Sequence, residues 1–355
     1  NSRIVCRAVD RRDNKRRETS DGKKNTITWH PHTYAERKHT EMKTIHLGKD
    51  MQPMQPCVAT IGFFDGVHRG HQYLIRQVTD EAKATGMEST VITFDRHPRQ
   101  VLQSDYIPQL LSTPDSKLLM LSKTGIDNAV VLHFDMEMAS LSAEEFIIRI
   151  LKERLNVRKL IIGYDNRFGH GRAEGFADYV RYGKEAGMEV IHANAFTLYG
   201  YNVSSSVIRR FLQDGEVEMA EKCLGYPYTI SGTVRKGFQE GRKLGFPTAN
   251  IDPATVCQMI PAKGAYAVTA RIEQSMAMRP AMMNIGTRPT FGGMDVSLET
   301  NIFNFSDNIY GKLMLVSFIH RIRGEQKFDS LAQPREQLRM DRKLVEQQFS
   351  KDKEE

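Results

Sequence analysis

Ten residues, Gly62-Phe63-Phe64-Asp65-Gly66-Val67-His68-Arg69-Gly70-His71, carry the plainest chemistry in the chain. Three glycines permit close backbone approach and torsions that other residues resist. His68 and His71 are three apart, so on a helix both imidazoles address one ligand. The apolar run Val58–Ile61 before them reads as a buried strand, and Leu74, Ile75, Val78 and Ala82 after them recur at helical spacing. A glycine-rich turn between strand and helix presents amides to an anion, and phosphate is the usual one. This is a phosphate site without the lysine of a Walker loop. A metal pair is the other reading of the two histidines, but no third carboxylate or cysteine ligand lies close in sequence.

Further segments offer related chemistry. Val203-Ser204-Ser205-Ser206-Val207-Ile208-Arg209 opens a helix. The hydroxyls of Ser205 and Ser206, with Arg209 one turn inward, make a second anion clamp; a plain serine N-cap is the competing reading. Gly163-Tyr164-Asp165-Asn166-Arg167-Phe168-Gly169 and Thr93-Phe94-Asp95-Arg96-His97-Pro98 each follow a predicted strand. In the second half, Gly237, Gly241 and Gly245 lead into Phe246-Pro247-Thr248-Ala249-Asn250-Ile251. Such glycines let a loop fold over phosphates. Thr248 and Asn250, two apart on a short strand, share a side and offer neutral oxygens. Mg²⁺ takes the rest of its shell from substrate phosphates and water, so two such oxygens suffice.

The elements that must position these groups fall into two patterns. From 57 to 223 the chain alternates strand and helix, with strands near 57–62, 89–94, 129–134, 159–163 and 189–193. Helices are predicted near 71–85, 115–124, 143–155, 174–186, 204–213 and 216–223. Thr113-Pro114 is an N-cap followed by proline, and Ser142 with Glu145 is a capping box. Such alternation predicts a parallel sheet with helices on both faces, and ligands bind beyond its strand ends at the switch point. After Gly225-Tyr226-Pro227 the period changes. Short strands at 228–234, 248–251, 265–272, 282–286, 296–305 and 312–322 predict a small antiparallel barrel. A final helix is predicted near 329–350.

Composition narrows the class. The 355 residues suit two domains. Cys6, Cys57, Cys223 and Cys257 lack motif spacing, which argues for a reducing, cytoplasmic compartment and against a disulfide frame or zinc ribbon. No apolar run approaches the roughly 18 residues of a membrane span. Of the net charge of +7, residues 1–41 hold +5, with 11 Lys/Arg against 6 Asp/Glu. The remaining body is nearly neutral, which argues against a nucleic-acid partner. Residues 1–41 read as a disordered basic extension outside the fold. Met42 reads as the start of the folded chain.

The ten-residue motif resembles the adenylyltransferase half of bacterial bifunctional riboflavin kinase/FAD synthetases. Gly232-Thr233-Val234 with Leu244-Gly245-Phe246-Pro247-Thr248-Ala249-Asn250 resembles their riboflavin kinase signature. The resemblance runs through about residues 43–350 in the family's order. It implies a Rossmann-like nucleotidyltransferase domain over 42–224, then an antiparallel β-barrel kinase domain with a C-terminal helix over 225–355. Riboflavin would be phosphorylated to FMN, and FMN adenylylated to FAD with release of pyrophosphate. ATP is the co-substrate and Mg²⁺ the metal. Gly62, Phe63, Asp65, Gly70, Ser205, Ser206 and Arg209 would bind ATP beside His68 and His71. Asp165, Asn166 and Arg167 would touch substrate. Gly237, Gly241, Gly245, Thr248, Asn250 and Asn284 would form the kinase site, with Thr248 and Asn250 at the metal. Glu299, in Ser297-Leu298-Glu299-Thr300-Asn301, falls on the family's catalytic glutamate. The sequence departs at Asn301, where histidine is usual, at Asn304, where aspartate is, at Asn166 and at Ser206.

Three alternatives stand beside this. One keeps a single activity, with the kinase the one lost because of Asn301. One is a non-catalytic flavin-binding protein. One is an aminoacyl-tRNA synthetase relative, which would need a Lys-Met-Ser-Lys-Ser-like loop that the sequence lacks. Oligomeric state is left open.

Overall fold

The computed structural model describes residues 41–48, 54–103, 105–164, 166–172, 174–237, 245–290, 293–326 and 333–351. The sequence-based extension 1–41 falls, but for Glu41, outside the described residues, as do Asp165 and Gly241.

The first half is a six-stranded, all-parallel sheet of order β1-β4-β3-β2-β5-β6. The strands are β1 (Lys43–His46), β2 (Cys57–Ile61), β3 (Glu88–Phe94), β4 (Asn128–Leu132), β5 (Val157–Ile162) and β6 (Glu189–His192). Between β2 and β3 lies α1 (Arg69–Thr85), between β3 and β4 lie α2 (Pro98–Leu102) and α3 (Pro114–Ser122). Next come α4 (Met136–Ser140), α5 (Ala143–Glu145, continued by Phe146–Lys152) and α6 (Phe176–Glu185). In the continuation of α5, Glu153 and Leu155 donate to Ile148 and Ile150, five residues back, so this turn is wider than an α-helix.

β2 is buried along its whole length, which is why it carries no polar alternation. Its side chains serve two cores. Val58 packs with Leu74, Ile75 and Val78 of α1 and Leu121 of α3. Cys57, Ala59 and Ile61 pack with Phe146, Ile147 and Tyr179 on the opposite face. The chain runs from β2 towards β3 and β4, then returns to the other side of β2 for β5 and β6. The switch point therefore lies between β2 and β5, at the carboxyl end of β2.

A small hairpin, β7 (Thr197–Leu198) and β8 (Tyr201–Asn202), precedes α7 (Ser205–Asp214) and α8 (Val217–Leu224). The second half is a closed barrel of β9 (Thr229–Arg235), β10 (Ala249–Ile251), β11 (Gly264–Ile272), β12 (Arg279–Thr290), β13 (Gly293–Ile302) and β14 (Leu313–Arg323). All its pairings are antiparallel. Ile230, Val268, Met283, Leu298 and Phe318 fill the interior. The terminal helix α9 (Gln333–Lys351) lays Val345 against Phe246, Ala267, Met282 and Phe303 on the outside. A bidentate Arg323–Asp341 ion pair fastens that helix to β14.

The helices and strands read from periodicity are all present. The edge strand β1 and the short helices α2 and α4 lie outside that reading, being too short to show a period. The interior of the barrel also continues into α7 and α8. Ile208, Phe211, Leu212, Val217, Ala220 and Leu224 share one core with the barrel strands.

Candidate active sites

The turn after β2 is held in an unusual backbone path. Phe64, Gly66 and Val67 all have positive φ, at 54°, 74° and 35°. For a β-branched valine this is a strained conformation, and it persists only where neighbours over-determine it. Three successive carbonyls are tied down by side chains. Ser205 Oγ donates to Asp65 O at 3.1 Å, Tyr226 Oη donates to Gly66 O, and Gln72 Nε2 donates to Val67 O at 2.8 Å.

This turn delivers His68 to the start of α1, where its Nδ1 accepts from His71 N at 3.3 Å. That bond leaves the proton of a neutral His68 on Nε2. The two imidazoles stack with centroids 3.6 Å apart and planes 18° from parallel. His68 is only 4% exposed. Burial, and secondarily the charge of Arg209, hold its pKa down to about 3. His71 is also held well below the ordinary value by burial, then by the neighbouring His68 and Lys117. Its Nδ1 is buried and has no hydrogen-bond partner. Both rings are thus neutral donors, poised for a ligand that brings negative charge. Gly70 has a packing reason as well: a Cβ there would lie 2.8 Å from Val203 O and 3.1 Å from His68 Nδ1.

Other sequence-derived residues have different places. Asp65, expected at ATP, is buried and turned inward. Its carboxylate accepts from Leu111 N at 2.9 Å and Ser112 N at 3.1 Å, and it pairs with Arg209. Burial pushes this carboxyl up, while Arg209 and the two amides pull it down. Its visible work is to hold the 111–112 loop and Arg209. Arg209 Nε donates to Gln109 O at 2.7 Å, so the guanidinium is braced from two sides at the rim of the site. Ser204, not Ser205, is the N-cap of α7, accepting from Val207 N at 3.3 Å. Ser206 is exposed at the first turn. Asn166, expected at substrate, spends its side-chain amide on the carbonyl of Ile61 and so joins the loop after β5 to the end of β2. Arg167 is exposed. Gly62 N continues the sheet to Ile92 O at 3.0 Å, and the Phe63 ring meets His97 edge-on at 4.9 Å.

Sequence reasoning missed Lys117. It lies on α3, one turn before Leu121, and both are buried. Its ammonium donates to Phe94 O at 2.9 Å, Thr93 Oγ1 at 3.0 Å and Phe63 O at 3.3 Å. The available signal was its spacing: a lysine four residues before a core leucine shares the buried stripe.

The second site is built by strand register. Asn250 of β10 pairs with Glu299 of β13, and Glu299 pairs with Asn284 of β12. Directly paired residues point to one face with Cβ atoms about 5 Å apart, so the three form a row across three strands. Leu298 and Ile302 lie in the barrel interior, which puts the row on the outer face. Gly237 closes the row at one end, since a Cβ there would lie 2.4 Å from Asn250 Nδ2. Asn250 Nδ2 faces Thr248 O at 3.4 Å. Gly245 has φ of 86°, a conformation that suits glycine. Asn301 Nδ2 donates to Pro247 O at 2.7 Å, which anchors the strand leading to Thr248. Asn304 has φ of 53°, a left-handed turn that asparagine tolerates. Glu325, not singled out in the sequence, accepts from Thr287 N at 3.3 Å and lies against Gly286 beside Asn284.

The stacked histidine pair at the switch point of a parallel sheet and the polar row on a small barrel are two separate candidate sites, one on each half of the chain. The FAD synthetase family model matches residues 37–207 and the riboflavin kinase family model matches residues 224–349. The chain is 36% identical over 289 residues to the bifunctional riboflavin kinase/FMN adenylyltransferase of Escherichia coli K12, covering 81% of this chain and 91% of that protein. It is 34% identical over 320 residues to the protein of the same name from Bacillus subtilis, covering 87% and 99%. A crystal structure from Streptococcus pneumoniae, named for a macrolide-efflux protein, superposes with a TM-score of 0.76 at 31% identity, covering 86% and 99%. Among the described residues no helix is long and apolar enough to cross a membrane. The chain belongs to the bifunctional riboflavin kinase/FMN adenylyltransferase family.

Proposed function

We propose that this chain phosphorylates riboflavin to FMN and adenylylates FMN to FAD, each with ATP, at two separate sites. The observation that carries this is the coexistence of both constellations: the stacked His68–His71 pair at the switch point and the Asn250–Glu299–Asn284 row on the barrel. We assign 42–224 to adenylyl transfer and 225–355 to the kinase.

In adenylyl transfer, a phosphate oxygen of FMN attacks the α-phosphorus of ATP. The bond to the bridging oxygen breaks, and pyrophosphate leaves with the electron pair. Negative charge builds on the phosphoryl oxygens, and fixed neutral donors answer it without reorganising. His68 Nε2–H and His71 are those donors, with the first-turn amides of α1 beside them. Arg209, Ser205 and Ser206 line the path of the leaving phosphates. Gly62, Phe63 and Gly70 shape the turn that surrounds the ATP phosphates.

In the kinase step, Glu299 accepts the proton of the terminal ribityl hydroxyl as that oxygen attacks the γ-phosphorus, and ADP leaves. Asn284 and Asn250 flank Glu299 and orient the reactants. Thr248 and Asn250 fit a Mg²⁺ ion. Their oxygens are neutral, and Asn250 stands in register with the Glu299 carboxylate. The ion would offset charge on the transferred phosphates. Retention of the kinase is supported by Asn301, which still braces Pro247. A cytoplasmic site of action fits Cys57, Cys223 and Cys257, which are unpaired, and the near-neutral body fits small-molecule partners without nucleic acid.

Incubation with riboflavin, ATP and Mg²⁺, with FMN and FAD resolved over time, tests this. FMN should appear first and FAD after it. FMN that accumulates without FAD, or riboflavin that stays unchanged while added FMN is converted, would leave one activity only.

A further inference from the structure

Lys117 is the most deeply buried cation beside the first site, only 5% exposed, and nothing in the mechanism above uses it. Its three protons go to three neutral oxygens: Phe63 O at the end of β2, and Thr93 Oγ1 and Phe94 O at the end of β3. Thr93 Oγ1 in turn donates to Phe63 O at 3.1 Å. The nitrogen lies 4.4 Å from the centre of the Phe63 ring. A charge whose hydrogen-bond acceptors are all neutral, with the Asp65 and Asp95 carboxylates acting only from further off, is a costly way to fasten two strand ends, since an apolar side chain of similar length would avoid the desolvation. The location accounts for the charge. The strand ends that Lys117 joins carry the turn to His68 and His71, and its field reaches His71.

We infer that Lys117 is a positioning residue for adenylyl transfer, which locks the ends of β2 and β3 beneath the imidazole pair and places a fixed positive charge behind the reacting phosphate. The inference rests on the adenylyl-transfer reading. Burial pushes the ammonium down to about 8, opposed by Asp65 on the turn and Asp95 after β3. His71 faces it from α1, and Asp65 is shared with Arg209. Bound phosphate favours the charged form. In the free enzyme the charge is present below pH of about 8 and lost above it.

Two measurements test this on the full chain. For the unaltered protein, kcat/KM for ATP in FAD formation should fall above pH of about 8, approaching tenfold per pH unit, because this parameter reports the free enzyme. Riboflavin phosphorylation by the same sample supplies the reference profile. Lys117→Met should lower kcat for FAD formation about 10- to 100-fold, abolish the alkaline fall, and leave riboflavin phosphorylation near its original rate, with a lower thermal midpoint because three buried hydrogen bonds are lost. An adenylylation profile that tracks the kinase profile from pH 7 to 9.5 overturns the inference, as does a Lys117→Met protein with full adenylylation kcat. An unaltered protein that makes no FAD from FMN at any pH instead rejects the underlying reading of the site.

Discussion

The hydroxyl of Tyr226 donates to the carbonyl of Gly66, so the segment that leads into the barrel is bonded to the turn that carries His68. Gln72 of α1 adds a second tie, to Leu224 O at 3.1 Å. From the barrel side, Arg321 donates to Asp214 O at 2.8 Å, and Met259 N donates to Leu110 O at 2.7 Å. Helix α7 serves both halves. Its first turn is bonded to Asp65 through Ser205 and Arg209, and its apolar side sits in the barrel core.

Cutting the chain at 225 therefore strips the barrel of part of its core. Seven buried side chains from α7 and α8 would be lost, at about 1.5–3 kcal/mol for each large one. A piece spanning 203–355 should phosphorylate riboflavin and melt cooperatively. A piece spanning 225–355 should melt at least about 10 °C lower or precipitate. Equal midpoints for the two pieces would show that α7 and α8 contribute little to the barrel.

His68→Ala and His71→Ala should each slow FAD formation from FMN by about 10²–10³, the scale for one preorganised donor. Riboflavin phosphorylation should hold, because the polar row of the barrel is built from other strands. Parallel loss of both activities in either variant would mark the histidines as structural.

The same histidines set an acid limit on stability. His68 titrates near 3 when folded and near its ordinary 6.5 when unfolded. Below pH 6.5 the unfolded chain takes up a proton that the folded site refuses, so stability is complete above that pH and falls towards pH 3. The slope approaches about 1.4 kcal/mol per pH unit for each such histidine. His71 shifts in the same direction. The drop in urea midpoint between pH 7 and pH 5 should be smaller in His68→Ala than in the unaltered protein. Identical drops would mean that His68 is protonated in the folded protein.

The architecture was legible because the two halves use different periods. The buried strand before Gly62, the capped α3 and α5, and the change near Tyr226 all stand in the local pattern. What could not be read was direction and partnership. Asp65 sits in the nucleotide motif, yet its carboxylate turns to the amides of Leu111 and Ser112, 46 and 47 residues along the chain. Asn166 faces a main-chain carbonyl of β2 rather than solvent. Lys117 acts through contacts to Phe63 and Thr93 that only the fold assembles. Asn301 is a departure in sequence whose side chain nonetheless finds a partner, Pro247. Local spacing reports which face a residue occupies, and long-range packing decides what that face meets.

Glu299 supplies the last prediction. Its neighbours in sequence, Leu298 and Thr300, are buried, and Leu298 belongs to the barrel interior. Glu299 itself is half-buried on the outer face, in register with Asn250 on one side and Asn284 on the other. A primary hydroxyl is a poor nucleophile near neutral pH, so a fixed carboxylate that accepts its proton lowers the barrier. Glu299→Gln keeps the shape and the row but removes the base. It should cut FMN formation by about 10²–10⁴ with small changes in KM for riboflavin and ATP. FAD formation from added FMN should continue, because it depends on the imidazole pair at β2. Asn284→Ala should act differently, raising KM more than it lowers kcat, because it orients rather than takes a proton. A Glu299→Gln protein that phosphorylates riboflavin near the original rate would leave substrate positioning as the source of catalysis on the barrel.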